Sequence, residues 1–204
     1  IVEAGIAALN SGKTFYTPAL GLPTLREKLA AYYQQRFQVS LNPNRIVITP
    51  GASGALLLLA AVRLNPNDQL MLADPGYPCN RNFARLFEAH GQLIPTGAAE
   101  NFQLTPDLIN QHWQPTTKAA LVASPANPTG TCLSLQDFSQ LSEAIANKGG
   151  ELWVDEIYQG LNYGAEAVSV LQVNPDAVVL NSFSKYFGMT GWRLGWTVVP
   201  ESWV

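Results

Sequence analysis

The 204-residue chain is short of charge, of cysteine and of long apolar runs. Its 12 Lys and Arg and 15 Asp and Glu amount to 13% of the residues and leave a net charge of −3, where an ordinary soluble domain carries ~25% charged residues. With 47% apolar residues beside that sparse charge, the composition argues against disorder. It also implies that part of the surface is covered, by a further domain or a second subunit. No Lys/Arg cluster is present and the pI is near 5.3, which argues against nucleic-acid and anionic-membrane partners, since both require a basic patch. The longest apolar run, Ala55–Val62, stops at Arg63, far short of the ~20 residues that a spanning helix needs. Two cysteines, Cys79 and Cys132, are too few for a disulfide framework and lack metal-ligand spacing. No metal site is therefore expected, and a reducing cytoplasm is the expected compartment. The chain opens on Ile1 with no initiator Met, basic n-region or signal-like apolar region.

What is there is alternation. Apolar runs of four to six residues alternate with longer segments of helical period, the pattern of an α/β layered domain with a largely parallel sheet. Strands are expected at Ile46–Thr49, Gln69–Ala73, Gly91–Pro95, Ala119–Ala123, Glu151–Val154, Ala177–Asn181 and Gly195–Val199. Helices are expected at Pro23–Phe37, Ser53–Leu64, Asn80–Ala89, Pro106–His112 and Ser134–Asn147, with Pro23 and Pro106 in first turns and Ser134 as an N-cap. A leading segment of helical character precedes them. No repeat, low-complexity tract or linker divides the chain, so residues 1–204 are expected to form one domain. Both ends look cut, and a piece of a larger body is expected.

The most specific segment runs Asn181-Ser-Phe-Ser-Lys-Tyr-Phe-Gly-Met-Thr-Gly-Trp-Arg-Leu-Gly195. A strand ends there in Ser-x-Ser-Lys, at the carboxyl edge of a sheet where α/β ligands bind. An isolated lysine would be read as solvated. Here Ser182, Ser184, Lys185 and Arg193 converge beside glycines, a set suited to a phosphorylated carbonyl: Ser and Arg hold the phosphate and Lys forms a Schiff base.

This segment resembles the active-site lysine motif of the class I and II aminotransferases, fold type I pyridoxal-phosphate enzymes. The resemblance extends over nearly the whole chain. Thr49-Pro-Gly-Ala-Ser-Gly-Ala55 follows a strand and opens a helix, a geometry that turns backbone N–H groups toward an anion; in the family it cradles the phosphate, which assigns Ala52, Ser53 and Gly54. Asp74-Pro-Gly-Tyr-Pro78 projects Tyr77, where the family stacks an aromatic on the cofactor ring. Ser124-Pro-Ala-Asn-Pro-Thr-Gly130 fixes a turn, and its Asn127 matches the family asparagine on the cofactor phenolic oxygen; Ser124 stands where the family pattern often has Asn. Leu152-Trp-Val-Asp-Glu-Ile-Tyr158 ends an apolar strand in a carboxylate, which is costly to bury without a positive partner. The resemblance gives Asp155 the pyridinium nitrogen and Tyr158 the phenolic oxygen. Phe15-Tyr-Thr-Pro-Ala-Leu-Gly-Leu-Pro-Thr-Leu-Arg26 matches an entry segment whose tyrosine, here Tyr16, reaches the phosphate in a neighbouring subunit.

The resemblance therefore implies a three-layer α/β/α large domain with a mostly parallel seven-stranded sheet, lacking an N-terminal segment and a C-terminal small domain. It implies pyridoxal 5′-phosphate as cofactor, a homodimer with shared sites, and transfer of an amino group between an amino acid and a 2-oxo acid. The implied catalytic set is Lys185, Asp155 and Tyr77, with Lys185 carrying the Schiff base and moving the proton between the substrate α-carbon and the cofactor. Ser182, Ser184, Ser53, Arg193 and Tyr16 would hold the phosphate. Two alternatives stay open: another reaction on the same cofactor, such as a C–S lyase or a decarboxylase, and an aminotransferase-like sensor domain of a transcriptional regulator. His90 and His112 fall outside every motif and receive no role.

Overall fold

The computed structural model describes residues 1–164 and 166–204. Seven strands form one sheet: β1 (Ile46–Thr49), β2 (Gln69–Asp74), β3 (His90–Pro95), β4 (Thr117–Ala123), β5 (Glu151–Asp155), β6 (Val178–Ser182) and β7 (Gly195–Val198), in the spatial order β1-β7-β6-β5-β4-β2-β3. Only β7 runs against its neighbours, antiparallel to both β1 and β6; the other pairs are parallel. The expected mostly parallel sheet is present.

The strands read as unbroken apolar runs because both faces of the sheet are covered. Along β5, Leu152 and Val154 enter one core while Trp153 enters the other. Along β6, Val179 faces the first core and Val178 and Leu180 the second. The first core holds Leu29, Tyr33 and Phe37 of α2 (Pro23–Phe37) and Ile109 of α5 (Pro106–His112). Phe138, Leu141 and Ile145 of α6 (Leu135–Ala146) complete it. The second lies under α3 (Gly51–Arg63) and α4 (Asn80–Arg85), with Ala55, Leu56, Leu59 and Ala60 from α3. The result is a three-layer α/β/α arrangement, and α1 (Val2–Asn10) lies outside it with no buried residue.

Boundaries differ from expectation in three instructive places. Helix α3 starts at Gly51 rather than Ser53, since Gly51 at φ +75° turns the chain directly from β1 into the helix. Helix α4 stops at Arg85 rather than Ala89, and Glu88 in the left-handed region (φ 58°) turns the chain into β3. Strand β6 runs one residue further than expected, through Ser182. The Ser134 cap is as expected: its hydroxyl accepts the Asp137 N–H and the Asp137 carboxylate accepts the Ser134 N–H at 2.8 Å. Among the described residues no helix is long and apolar enough to cross a membrane.

Candidate active site

The reversal at β7 brings the site together. Because β7 is antiparallel between two strands that share a direction, its start lies at the same sheet edge as the ends of β1 and β6. Thr49 pairs with Gly195 on one side and Ser182 with Gly195 on the other. The first turn of α3, the Arg193 bend and the Ser182–Lys185 turn therefore meet at one edge. The loops after β2, β4 and β5 open on that edge too, which is where ligands bind in parallel α/β sheets.

Close approach there depends on glycines. A Cβ at Gly195 would come within 2.6 Å of the Gly51 carbonyl carbon and 2.8 Å of the Asn181 oxygen. At Gly51 a Cβ would lie 2.5 Å from Arg193 Nη2. The guanidinium thus sits against the start of α3, whose N-terminus carries no side-chain cap. Arg193, itself left-handed at φ 50°, donates from Nη1 to the Thr190 carbonyl at 3.0 Å and reaches Ser184 Oγ at 3.5 Å. Uncapped N–H groups, the helix dipole and a guanidinium converge on one point, a set that favours a dianion.

A cavity of about 510 Å³ opens here. Ala52, Ser53, Ser184 and Arg193 line it beside the start of α3, and Tyr77, Asn127, Asp155, Tyr158 and Lys185 join them in the polar lining, with Leu72, Leu121 and Leu180 among the apolar residues. Lys185 Nζ lies 5.5 Å from the centre of the Tyr158 ring. Asp155 Oδ1 accepts the Ile157 N–H at 3.0 Å. Burial raises the Asp155 carboxyl to about 6, against the opposing pull of that hydrogen bond and of the Lys185 charge. The adjacent Glu156 is fully buried, and burial carries it to about 8 although Ser169 and Val170 donate to Oε1. Hydrogen bonding to Cys79 raises the Tyr77 phenol, with further upward pushes from the thiol charge and from burial.

Nine of the twelve expected site residues share this cavity. The other three lie outside its lining. Ser182 is 1% exposed and its hydroxyl accepts the Ser184 N–H at 3.0 Å, so it shapes the turn that presents Ser184 and Lys185. Gly54 sits one residue beyond the lining, in the first turn of α3 against Pro50. Tyr16 is fully exposed on the segment before α2.

Two residues at the site received no role from the sequence. Thr190 lines the cavity, donates to the Ser184 carbonyl at 3.0 Å and offers its own carbonyl to Arg193. Gln103, 3% exposed, donates to the Ala123 carbonyl at 3.0 Å and to Thr131 Oγ1 at 3.1 Å, pinning both ends of the Asn127 loop. Thr190 lies inside the recognised segment, whereas only the fold brings Gln103 to its carbonyl.

The chain is similar to known proteins throughout. It is 41% identical over 199 residues to the valine–pyruvate aminotransferase of Mycobacterium tuberculosis, covering 97% of this chain and 51% of that protein. It is 32% identical over 206 residues to the aspartate aminotransferase of Geobacillus stearothermophilus, covering 98% and 52%. The crystal structure of an aminotransferase from Mycobacterium tuberculosis superposes with a TM-score of 0.93 at 38% identity, over 98% of this chain and 55% of that one. The aspartate aminotransferase from Thermus thermophilus with maleate gives 0.93 at 32% identity, over 98% and 53%. The chain spans about half the length of the curated relatives it matches. The description "Aminotransferase class I and II" fits all of residues 1–204, and with this sheet and these relatives it places the chain in the class I and II aminotransferase family.

Proposed function

We propose that residues 1–204 are the cofactor-binding large domain of a pyridoxal-phosphate-dependent transaminase, acting on an amino acid and a 2-oxo acid. The observation that carries this reading is the convergence of Lys185, Asp155, Arg193 and the uncapped start of α3 on one cavity. The donor set fits the cofactor: a dianion acceptor at one end, an amine for its carbonyl carbon, and a carboxylate desolvated enough to require a positive partner. Bound pyridoxal phosphate would supply an electron sink for the pair left on the substrate α-carbon.

The chain's own groups do the rest. Ala52 and Ser53 at the start of α3, with Arg193 and Ser184, anchor the phosphate. Asp155, raised by burial to about 6, would be drawn down again by a cation and would hold a proton on the ring nitrogen. Asn127 and Tyr158 would donate to the phenolic oxygen, and Tyr77 would pack against the ring. Lys185 Nζ would accept the proton leaving the substrate α-carbon. The relatives carry transaminase names, so the lyase, decarboxylase and sensor readings are not favoured.

A homodimer accords with the apolar residues that α1 and the following segment expose, among them Val2, Ile6, Leu9, Phe15 and Tyr16. In that assembly Tyr16 would reach a neighbour's phosphate. Two free thiols accord with a reducing cytoplasm. The decisive experiment is borohydride reduction after incubation of the intact protein with pyridoxal phosphate, followed by peptide mass spectrometry. A single adduct on Lys185 is expected; an unmodified Lys185, or a label spread over other lysines, would refute the reading.

A further inference from the structure

We infer that Gln159 is a positioning residue that fixes the angle between the two loops carrying Asn127 and Tyr158. The inference rests on the proposed cofactor reading and extends it to a residue outside the cavity lining. Strands β4 and β5 lie side by side, and the loops that follow them carry Asn127 and Tyr158 into the cavity lining. A backbone bond from the Ser124 N–H to the Asp155 carbonyl, 3.1 Å long, joins these loops at their root. One point of attachment leaves a hinge.

Gln159 supplies a second point near that root, and further out Asn162 Nδ2 makes only a weak contact to Cys132 Sγ at 3.6 Å. Its Nε2 donates to the Ser124 carbonyl at 3.1 Å and also to the Val168 carbonyl. The residue is 3% exposed, and its own N–H donates to the Glu156 carbonyl at 2.9 Å in the turn that displays Tyr158. One amide therefore links the Tyr158 turn, the start of the Asn127 loop and the 166–170 segment. Glu156 secures the same segment from its other side, accepting from Ser169 Oγ and the Val170 N–H at 2.9 Å each. Within the loop, Ala126 and Thr131 close the turn through a 2.9 Å backbone bond, and Gln103 holds it to β4. The Asn127 loop is thus stiff in itself, and its placement relative to Tyr158 is what Gln159 sets.

Two donors that converge on one oxygen stabilise its deprotonated form only while both reach it. Loosening the angle separates them. Visible absorbance of the intact protein loaded with pyridoxal phosphate reports this oxygen's environment through the pH midpoint of its spectral change. Gln159→Met keeps the volume and removes the donor, and it is expected to raise that midpoint by about one unit, with Gln159→Asn raising it less. Leu141→Ala, a cavity variant in α6, is expected to lower the melting temperature and leave the midpoint in place. An unmoved midpoint in a loaded Gln159→Met protein would overturn the inference, as would an equal shift in Leu141→Ala. Should Gln159→Met fail to fold, Gln159→Asn decides on the same criterion. A parent protein that shows no Lys185 adduct would instead sink the cofactor reading, and this inference with it.

Discussion

Asp155 and Arg193 both line one cavity, and in the proposed function they serve different parts of the cofactor, so their replacements should fail in different ways. Asp155 faces the ring nitrogen in the proposed function and touches no phosphate ligand, so Asp155→Ala is expected to retain cofactor while turnover falls by roughly 10²-fold or more. Equilibrium titration with pyridoxal phosphate and steady-state rates separate the two effects. Arg193 contributes a charge-assisted contact at the phosphate end, where Ser184 offers a hydroxyl. Removing the guanidinium should cost about 1.5–3 kcal/mol of binding, against about 1 kcal/mol for the hydroxyl. Titrations of Arg193→Ala and Ser184→Ala would reveal a reversed order directly. Side chains proposed to touch the cofactor were the legible ones, because Ser-x-Ser-Lys and Asp-Glu-Ile-Tyr carry their chemistry in order along the chain. Gln103 and Gln159 were not legible: an amide that bonds to a distant backbone carbonyl leaves no spacing in the sequence.

Helix α3 shows how an element's first residue can matter more than its body. Its apolar positions Ala55, Leu56, Leu59 and Ala60 bury it against the sheet, and this packing would survive a change at the N-terminus. Gly51 combines φ +75° with a guanidinium where a Cβ would stand. Gly51→Ala is therefore expected to lower stability by about 1–3 kcal/mol and to push Arg193 off the phosphate position. Thermal melts alongside cofactor titration test both halves of that expectation. The strands were read from sequence nearly to the residue because burial on both faces makes them continuous apolar runs. The start of α3 and the end of α4 were not, because backbone turns at Gly51 and Glu88 decide them, and glycine and glutamate in a helical pattern carry no mark of a positive φ.

At the scale of the molecule, two buried carboxyls give the cofactor-free protein a distinctive pH dependence. Burial holds Asp155 near 6 and Glu156 near 8, above the ordinary values of 3.8 and 4.5. The folded state keeps protons that the unfolded chain releases, so their contribution to stability is largest below the unfolded values and is lost as pH rises through the folded ones. Stability should fall between about pH 4 and 8, by an amount on the order of several kcal/mol, and the melting temperature should fall with it. Glu156→Gln, which keeps the shape and removes the titration, should flatten the upper part of that slope; an unchanged slope would discard Glu156 as its source. Cofactor loading should remove the Asp155 part, since a cation at its oxygen favours the charged form. The position of β7 has a further consequence, for the order of assembly. Among the described residues β1 pairs only with β7, so Thr49 and the helix that follows wait, unzipped, for residues made far later. Domains grow from the N-terminus during synthesis, and distant pairings form slowly. The start of α3, encoded early, is thus completed by a strand made more than a hundred residues later.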